Sequence, residues 1–165
     1  MARGDTLLIF HPYNNEPPSS NYATLDYRNL HPVLDFDPDT DESAVFSAVM
    51  PQHYDGGGVT IYIHWSADGA TSGNIIWNSA FERIGDQVLD IDSDSFATAQ
   101  ASAATAAPGT DGYVDIATIT HTDGLQMDSL AVGELFRIKI TRDADNGSDT
   151  LTVDGELHAV EIRET

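Results

Sequence analysis

"GVTIYIHWSA" (Gly58–Ala67) is the stretch on which the fold turns. Val59, Ile61, Ile63 and Trp65 fall on one side of an extended chain, and Thr60, Tyr62, His64 and Ser66 on the other. That alternation marks an antiparallel strand with one face on a core and the other toward water. The same period recurs outward in both directions. "ELFRIKITRD" (Glu134–Asp143) sets Phe136, Ile138 and Ile140 inward against Arg137, Lys139 and Thr141. "SAVFSAVMP" (Ser43–Pro51) alternates Ala44, Phe46, Ala48 and Met50 with Val45, Ser47 and Val49, so both of its faces are expected to be covered. "NIIWNSAFERI" (Asn74–Ile84) reads as a strand with a bend; "YVDIATITHT" (Tyr113–Thr122) and "DTLTVDGELHAVEIRE" (Asp149–Glu164) complete the set.

The connections carry turn chemistry: "DGGG" (Asp55–Gly58), "ADGATSG" (Ala67–Gly73), "PGTDG" (Pro108–Gly112) and "DADNGSD" (Asp143–Asp149). "FATAQASAATAA" (Phe96–Ala107) is rich in the best helix former. Yet Thr98, Gln100 and Ser102 alternate with alanines and strands flank both sides, so it is read as a strand whose small side chains face a crowded neighbour. About eight strands at this spacing predict an all-β chain, a single jelly-roll-like antiparallel β-sandwich.

The first thirty residues break the pattern. "TLLIF" (Thr6–Phe10) is a short strand, but "HPYNNEPPSSNYATLDYRN" (His11–Asn29) has neither helical nor strand period. The expected division is an extended N-terminal arm over residues 1–30 and a sandwich domain over residues 31–165. Such an arm could add its strand to the open sheet edge of the next subunit. Leu7, Leu8, Ile9 and Phe10 would form the contact, with Tyr13, Tyr22 and Tyr27 anchoring it.

Charge is the strongest compositional feature. Twenty-seven Asp and Glu face seven Lys and Arg, for a net charge of −20, and Lys139 is the only lysine. A field of that sign repels nucleic-acid phosphate and anionic headgroups, so neither nucleic acid nor a membrane surface is an expected partner. The chain has no cysteine, so no disulfide framework and no thiolate site. No apolar run reaches the length of a transmembrane helix, and the N-terminus lacks the basic-then-apolar layout of a signal peptide. Aspartate on the surface with scarce lysine also suits a salt-rich habitat, where screening relieves self-repulsion.

The acidic loops are the first candidates for chemistry. "HPVLDFDPDTDESAVF" (His31–Phe46) carries Asp35, Asp37, Asp39 and Asp41 at every second position. An EF-hand register from Asp35 puts Thr40 at position 6 and Phe46 at position 12; from Asp37 it puts Glu42 and Ala48 there. Both fail the required Gly and Glu. Three loops could still hold Ca²⁺ in looser geometry: Asp37, Asp39 and Asp41; Asp90, Asp92 and Asp94; Asp143, Asp145 and Asp149. The first set is the preferred one, and the alternative for each is an acidic solvated turn. Six scattered histidines show no zinc spacing, and no Gly-x-Ser-x-Gly elbow is present. Trp65, Trp77, Tyr62 and Tyr113 could form a sugar-stacking platform, but Trp65 shares its face with Val59, Ile61 and Ile63, which favours core burial. Asn146 begins a formal glycosylation sequon in a turn. No catalytic constellation emerges.

Two stretches carry a resemblance: "VTIYIHWSADGATSGNIIWNSAFERIGD" (59–86) and "MDSLAVGELFRIKITRDADNGSDTLTVDGELHAVEIRE" (127–164). Together they resemble small jelly-roll structural proteins of tailed phages, over about residues 31–165. The resemblance implies a non-enzymatic building block and transfers no site residues. The leading expectation is therefore a self-assembling homopolymer subunit of a viral particle, tail or extracellular filament, located in the virion or outside the cell. The alternative is a carbohydrate-binding β-sandwich module with a glycan as partner.

Overall fold

A computed structural model describes residues 4–165. Twelve strands follow in chain order: β1 (Thr6–Phe10), β2 (Thr24–Arg28), β3 (His31–Phe36), β4 (Ser43–Val49), β5 (Val59–Ala67), β6 (Asn74–Ile75), β7 (Trp77–Arg83), β8 (Gln100–Ala101), β9 (Thr105–Ala106), β10 (Asp115–His121), β11 (Leu135–Arg142) and β12 (Gly155–Glu164). The only helical elements among the described residues are two 3-10 turns, Pro12–Asn14 and Leu125–Met127.

The alternation of β5 becomes burial. Val59, Ile61, Ile63 and Trp65 are wholly buried, as are Phe136, Ile138 and Ile140 of β11. β5 is central in a sheet ordered β10-β5-β12-β3-β2, and β11 lies within a facing sheet ordered β4-β11-β7-β8. All the strand pairs are antiparallel. Between the sheets Phe36 meets Trp77 edge-on at 4.9 Å between ring centroids and Trp77 meets Trp65 at 6.5 Å, while Phe81 and Phe136, neighbours within one sheet, lie 5.6 Å apart. The expected sandwich is thus present, with its expected core.

Strand β12 is long enough to serve three partners. One side lies along β5; the other takes β3 at Gly155–Leu157 and then β1 at Val160–Arg163. Its register against β5 slips between Leu157 and Ala159, so His158 is the extra residue of a β-bulge.

The N-terminal segment is not the free arm that its sequence suggested. β1 pairs with β12 of its own chain, Leu7 and Phe10 are buried, Leu8 packs on the core, and only Ile9 faces out. Phe10 stacks on Phe46 at 5.2 Å. The chain then runs along the outer edge of β4, where Glu16 N–H donates to Val45 O, Ser43 N–H to Asn21 O and Ala23 N–H to Ser43 O. It returns as β2 beside β3. The division at residue 30 is corrected accordingly, with residues 1–3 of the expected arm outside the described residues. The physical reason is that a β-prone apolar segment meets an open edge within its own chain, where pairing carries only loop-closure entropy and not the larger cost of association.

The alanine-rich stretch also departs from expectation. It forms only β8 and β9, two residues each, with single anchors on either side of β8: Ala97 N–H donates to Phe81 O and Ser102 N–H to Trp77 O. "NIIWNSAFERI" breaks at Ile76, whose N–H is taken by Asp149 Oδ2 and whose carbonyl accepts from Asp143 N–H.

Candidate functional site

The acidic loops separate by what each carboxylate already does. Asp39 N–H donates to Asp37 Oδ1 at 2.7 Å and Asp37 N–H to Glu42 Oε2 at 2.9 Å, so the preferred trio is a turn built on its own side chains. Asp41 leaves that trio. Its Oδ1 accepts from Ala144 N–H at 2.8 Å and Asp145 N–H at 3.3 Å, tying two loops together. Oxygens of Asp41, Asp143 and Asp145 thereby come within 4.8 Å of one another, a spacing that a hard cation can span. Asp41 holds the Asp145 carboxyl above its ordinary range. Asp90 caps a turn by accepting from Asp92 N–H at 3.0 Å, and Asp94 accepts from Ser95 N–H. Asp149 is no surface ligand: both oxygens receive the buried Arg142 guanidinium, at 2.9 and 3.1 Å. Arg142 also donates to the carbonyls of Phe36, Leu151 and Val153. Asn146 is half-buried, and its Nδ2 donates to Asp143 Oδ2 at 3.0 Å.

Two serine–histidine contacts need the same scrutiny, because such pairs can activate a nucleophile. Ser79 Oγ lies 2.6 Å from His121 Nε2, and His121 Nδ1 lies 3.0 Å from Gln126 O. The carbonyl can only accept, so Nδ1 carries the proton and Nε2 accepts from Ser79. Both side chains are sealed in the core, and burial keeps His121 below its ordinary pKa, hence neutral. Ser66 Oγ lies 2.6 Å from Glu156 Oε2 and 2.8 Å from His158 Nε2. Its single proton goes to the carboxylate, so His158 must donate to Ser66 and cannot act as its base. Neither pair is a nucleophile with a base.

The exposed aromatic side chains gather on a surface that sequence reasoning had given to subunit contacts. Tyr13, Tyr22 and Tyr27 are 64%, 49% and 53% exposed. The 3-10 turn presents Tyr13, and β2, returning beside it, presents Tyr27. Their hydroxyls are hydrogen-bonded at 2.8 Å, with ring centroids 6.5 Å apart and planes inclined by 54°. That bond raises the Tyr13 hydroxyl above its ordinary pKa. Beside the pair lies a groove of about 290 Å³ walled by Pro12, Tyr13, Pro17, Tyr22, Leu25 and Leu34, with Asn15 and Thr24 as polar members. The tryptophans considered for this role, Trp65 and Trp77, are fully buried, and the Tyr62 ring is covered by Arg163 at 4.0 Å. Tyr113 is exposed but apart from the trio, next to a second pocket of about 370 Å³ on the outer face of the β5-containing sheet. The tyrosine surface left one signal in the sequence: three tyrosines in a segment with no period of its own.

Known proteins bear on the fold. No protein-family model matches the chain, and no curated protein does. Among solved structures, the family 35 carbohydrate-binding module of Abf62 from Cellvibrio japonicus is similar at TM-score 0.53 and 12% identity, covering 94% of this chain and 91% of that one. A family 35 carbohydrate-binding module from an environmental isolate gives TM-score 0.53 and 12% identity over 94% and 92%. The CBM22-2 xylan-binding domain of Paenibacillus barcinonensis Xyn10C gives 0.51 and 16% over 92% of each chain. These likenesses establish the jelly-roll sandwich. The phage resemblance gains no support from them beyond that architecture. The expectation of a self-assembling virion, tail or filament subunit is overturned, because these three structures, which share the fold across nearly the whole chain, are carbohydrate-binding modules. The strand meant for a neighbour is, moreover, already paired at home.

Proposed function

We propose that this chain is a non-catalytic carbohydrate-binding module and that Tyr13, Tyr22 and Tyr27 form its glycan-stacking surface. The observation that carries the reading is the hydroxyl bond that locks two exposed tyrosine rings beside a groove. A sugar ring is polar at its rim and apolar on its C–H faces. An aromatic face buries the apolar side at small entropic cost, since tyrosine has only two side-chain torsions, and in the Tyr13–Tyr27 pair the accepting hydroxyl keeps its own proton for polar contact. None of these three tyrosines belongs to the core, and an aromatic patch kept exposed marks a binding surface. The net charge of −20 favours neutral glycans over uronate or sulfated polymers. The fold supports the reading by analogy, one of the similar structures being described as xylan-binding.

The test is electrophoresis of the whole chain in gels containing arabinoxylan, glucomannan, hydroxyethylcellulose or polygalacturonate. At least one of the three neutral polymers should retard it. Tyr13→Ala and Tyr27→Ala should each weaken retention roughly tenfold or more, as truncation of a binding hot spot does. Unretarded migration in every neutral polymer would overturn the proposal.

A further inference from the structure

The strand that carries Tyr27 has a second face. Arg28 points to the opposite side of β2 from Leu25 and Tyr27, because successive side chains of a strand alternate. Leu25 pairs with core-facing Leu34, whereas Arg28 pairs with His31 on the outer face. There Arg28, Asn29, His31, Ser66, Val114 and His158 enclose the pocket of about 370 Å³, within the range of small-ligand sites.

The pocket is held rigid. Arg28 Nη1 donates to Glu156 Oε2 at 2.5 Å and to Ala67 O at 2.8 Å, and Nη2 donates to Asp111 at 2.5 Å. Ser66, 1% exposed, donates to the same Glu156 oxygen. His158 then donates to Ser66 through Nε2, which leaves Nδ1 as an acceptor. His158 stands here because of the β-bulge in β12: two residues oppose His64 where one would fit, and the extra side chain is turned into the pocket. Bulges of this kind re-aim side chains at sites.

We propose that this pocket is a second glycan-binding site, resting on the carbohydrate-binding reading above, so that one chain holds two glycan segments on opposite faces of β2. The site takes the end of a neutral glycan. Its hydrogen-bonding groups are mixed, with the Asn29 amide, the His31 imidazole and His158 Nδ1 around the apolar wall of Val114, as vicinal hydroxyls on a C–H frame require. An anionic sugar finds no net attraction, since Arg28 is neutralised by two carboxylates.

The experiment is calorimetric titration of the whole chain with the hexasaccharide of whichever neutral polymer retards it. Two sites per chain are expected. Tyr27→Ala should remove one. His31→Ala, at an exposed position, and His158→Gln should each weaken the other roughly tenfold or more, the factor that about 1.4 kcal/mol represents. The wild-type chain should also cross-link the soluble polymer into a turbid suspension, and either class of variant should not. A single site abolished by Tyr27→Ala and untouched by His31→Ala would overturn the inference and leave the first reading standing. No binding of any hexasaccharide would overturn both.

Discussion

Arg142 and Asp149 show how a residue type misleads until its partner is known. Asp149 sits in an acidic turn and reads as a surface ligand, yet its carboxylate is 1% exposed and faces a guanidinium that is wholly buried. Removing one member leaves a buried charge unpaired, an effect of about 3–5 kcal/mol. Asp149→Ala should therefore lower urea-melt stability by about that amount, while Asp39→Ala, in the outer turn, should stay within about 0.5 kcal/mol. Equal effects would show that Asp149 is a surface residue after all. Asp35 gives the opposite case. Its Oδ1 is buried without a hydrogen-bond partner, and burial, followed by Glu156, Asp26, Asp154 and Asp68, pushes its carboxyl up to about 7. The native state therefore binds a proton that the unfolded chain has released. Stability from this group is fully present below about pH 4, the unfolded value, and is lost as pH rises through about 7. Asp35→Asn should raise stability at pH 8 by about 2 kcal/mol after allowance for solvent screening, and change little at pH 4. A gain of the same size at both pH values would remove the titration argument.

At the scale of elements, legibility followed the reach of the interactions. β5 and β11 could be read residue by residue because one face of each is buried, and burial imposes a period of two. β1 was recognisable as a strand, but not its destination, because β12 lies at the far end of the chain and nothing in "TLLIF" names its partner. The alanine-rich stretch failed for the reverse reason: its alternation is real, but its hydrogen bonds to β7 come one at a time, so the pattern promised a longer strand than forms. The tyrosine surface was legible as residues and not as a site, since Tyr13 and Tyr27 meet only when β2 returns beside the 3-10 turn. The placement of β1 makes a prediction of its own. Phe10 stacks on Phe46 inside the sandwich, so Phe10→Ala should destabilise the monomer by about 3–5 kcal/mol, independently of protein concentration. A loss that appears only at high concentration would return β1 to a neighbouring chain.

For the molecule as a whole, the charge decides the response to salt. Arg28, Arg83, Arg137, Arg142 and Arg163 each already hold a carboxylate, and Lys139 lies 4.8 Å over the Phe96 ring. Most of the acidic surface must therefore draw its counterions from solution. The consequence is visible in carboxyls held above their ordinary range with other carboxylates among the causes: Asp145, where Asp41 leads; Asp154, where burial leads and Asp37 and Asp68 add to it; and Glu42, where burial leads and the Asp154 charge adds to it. Two effects of added salt compete. Screening weakens partly exposed pairs such as Arg28–Asp111, which contribute little in a high-dielectric setting. It also shortens the reach of repulsion, from a Debye length of about 10 Å at 0.1 M to about 3 Å at 1 M. With a net charge of −20, repulsive contacts outnumber attractive ones, so the second effect dominates. The melting temperature should rise from about 0.1 to 1 M NaCl. Generic salting-out would raise it too, so the discriminating variant is Asp90→Asn, Asp92→Asn and Asp94→Asn combined. Asp90 and Asp94 accept from backbone N–H groups of the turn, which an amide oxygen can also do, and the second Asp94 oxygen is buried without a hydrogen-bond partner. The triple variant should melt higher than wild type at low salt and respond less steeply to NaCl, the two curves converging near 1 M. Parallel curves would assign the stabilisation to the solvent and not to relief of the protein's own charge.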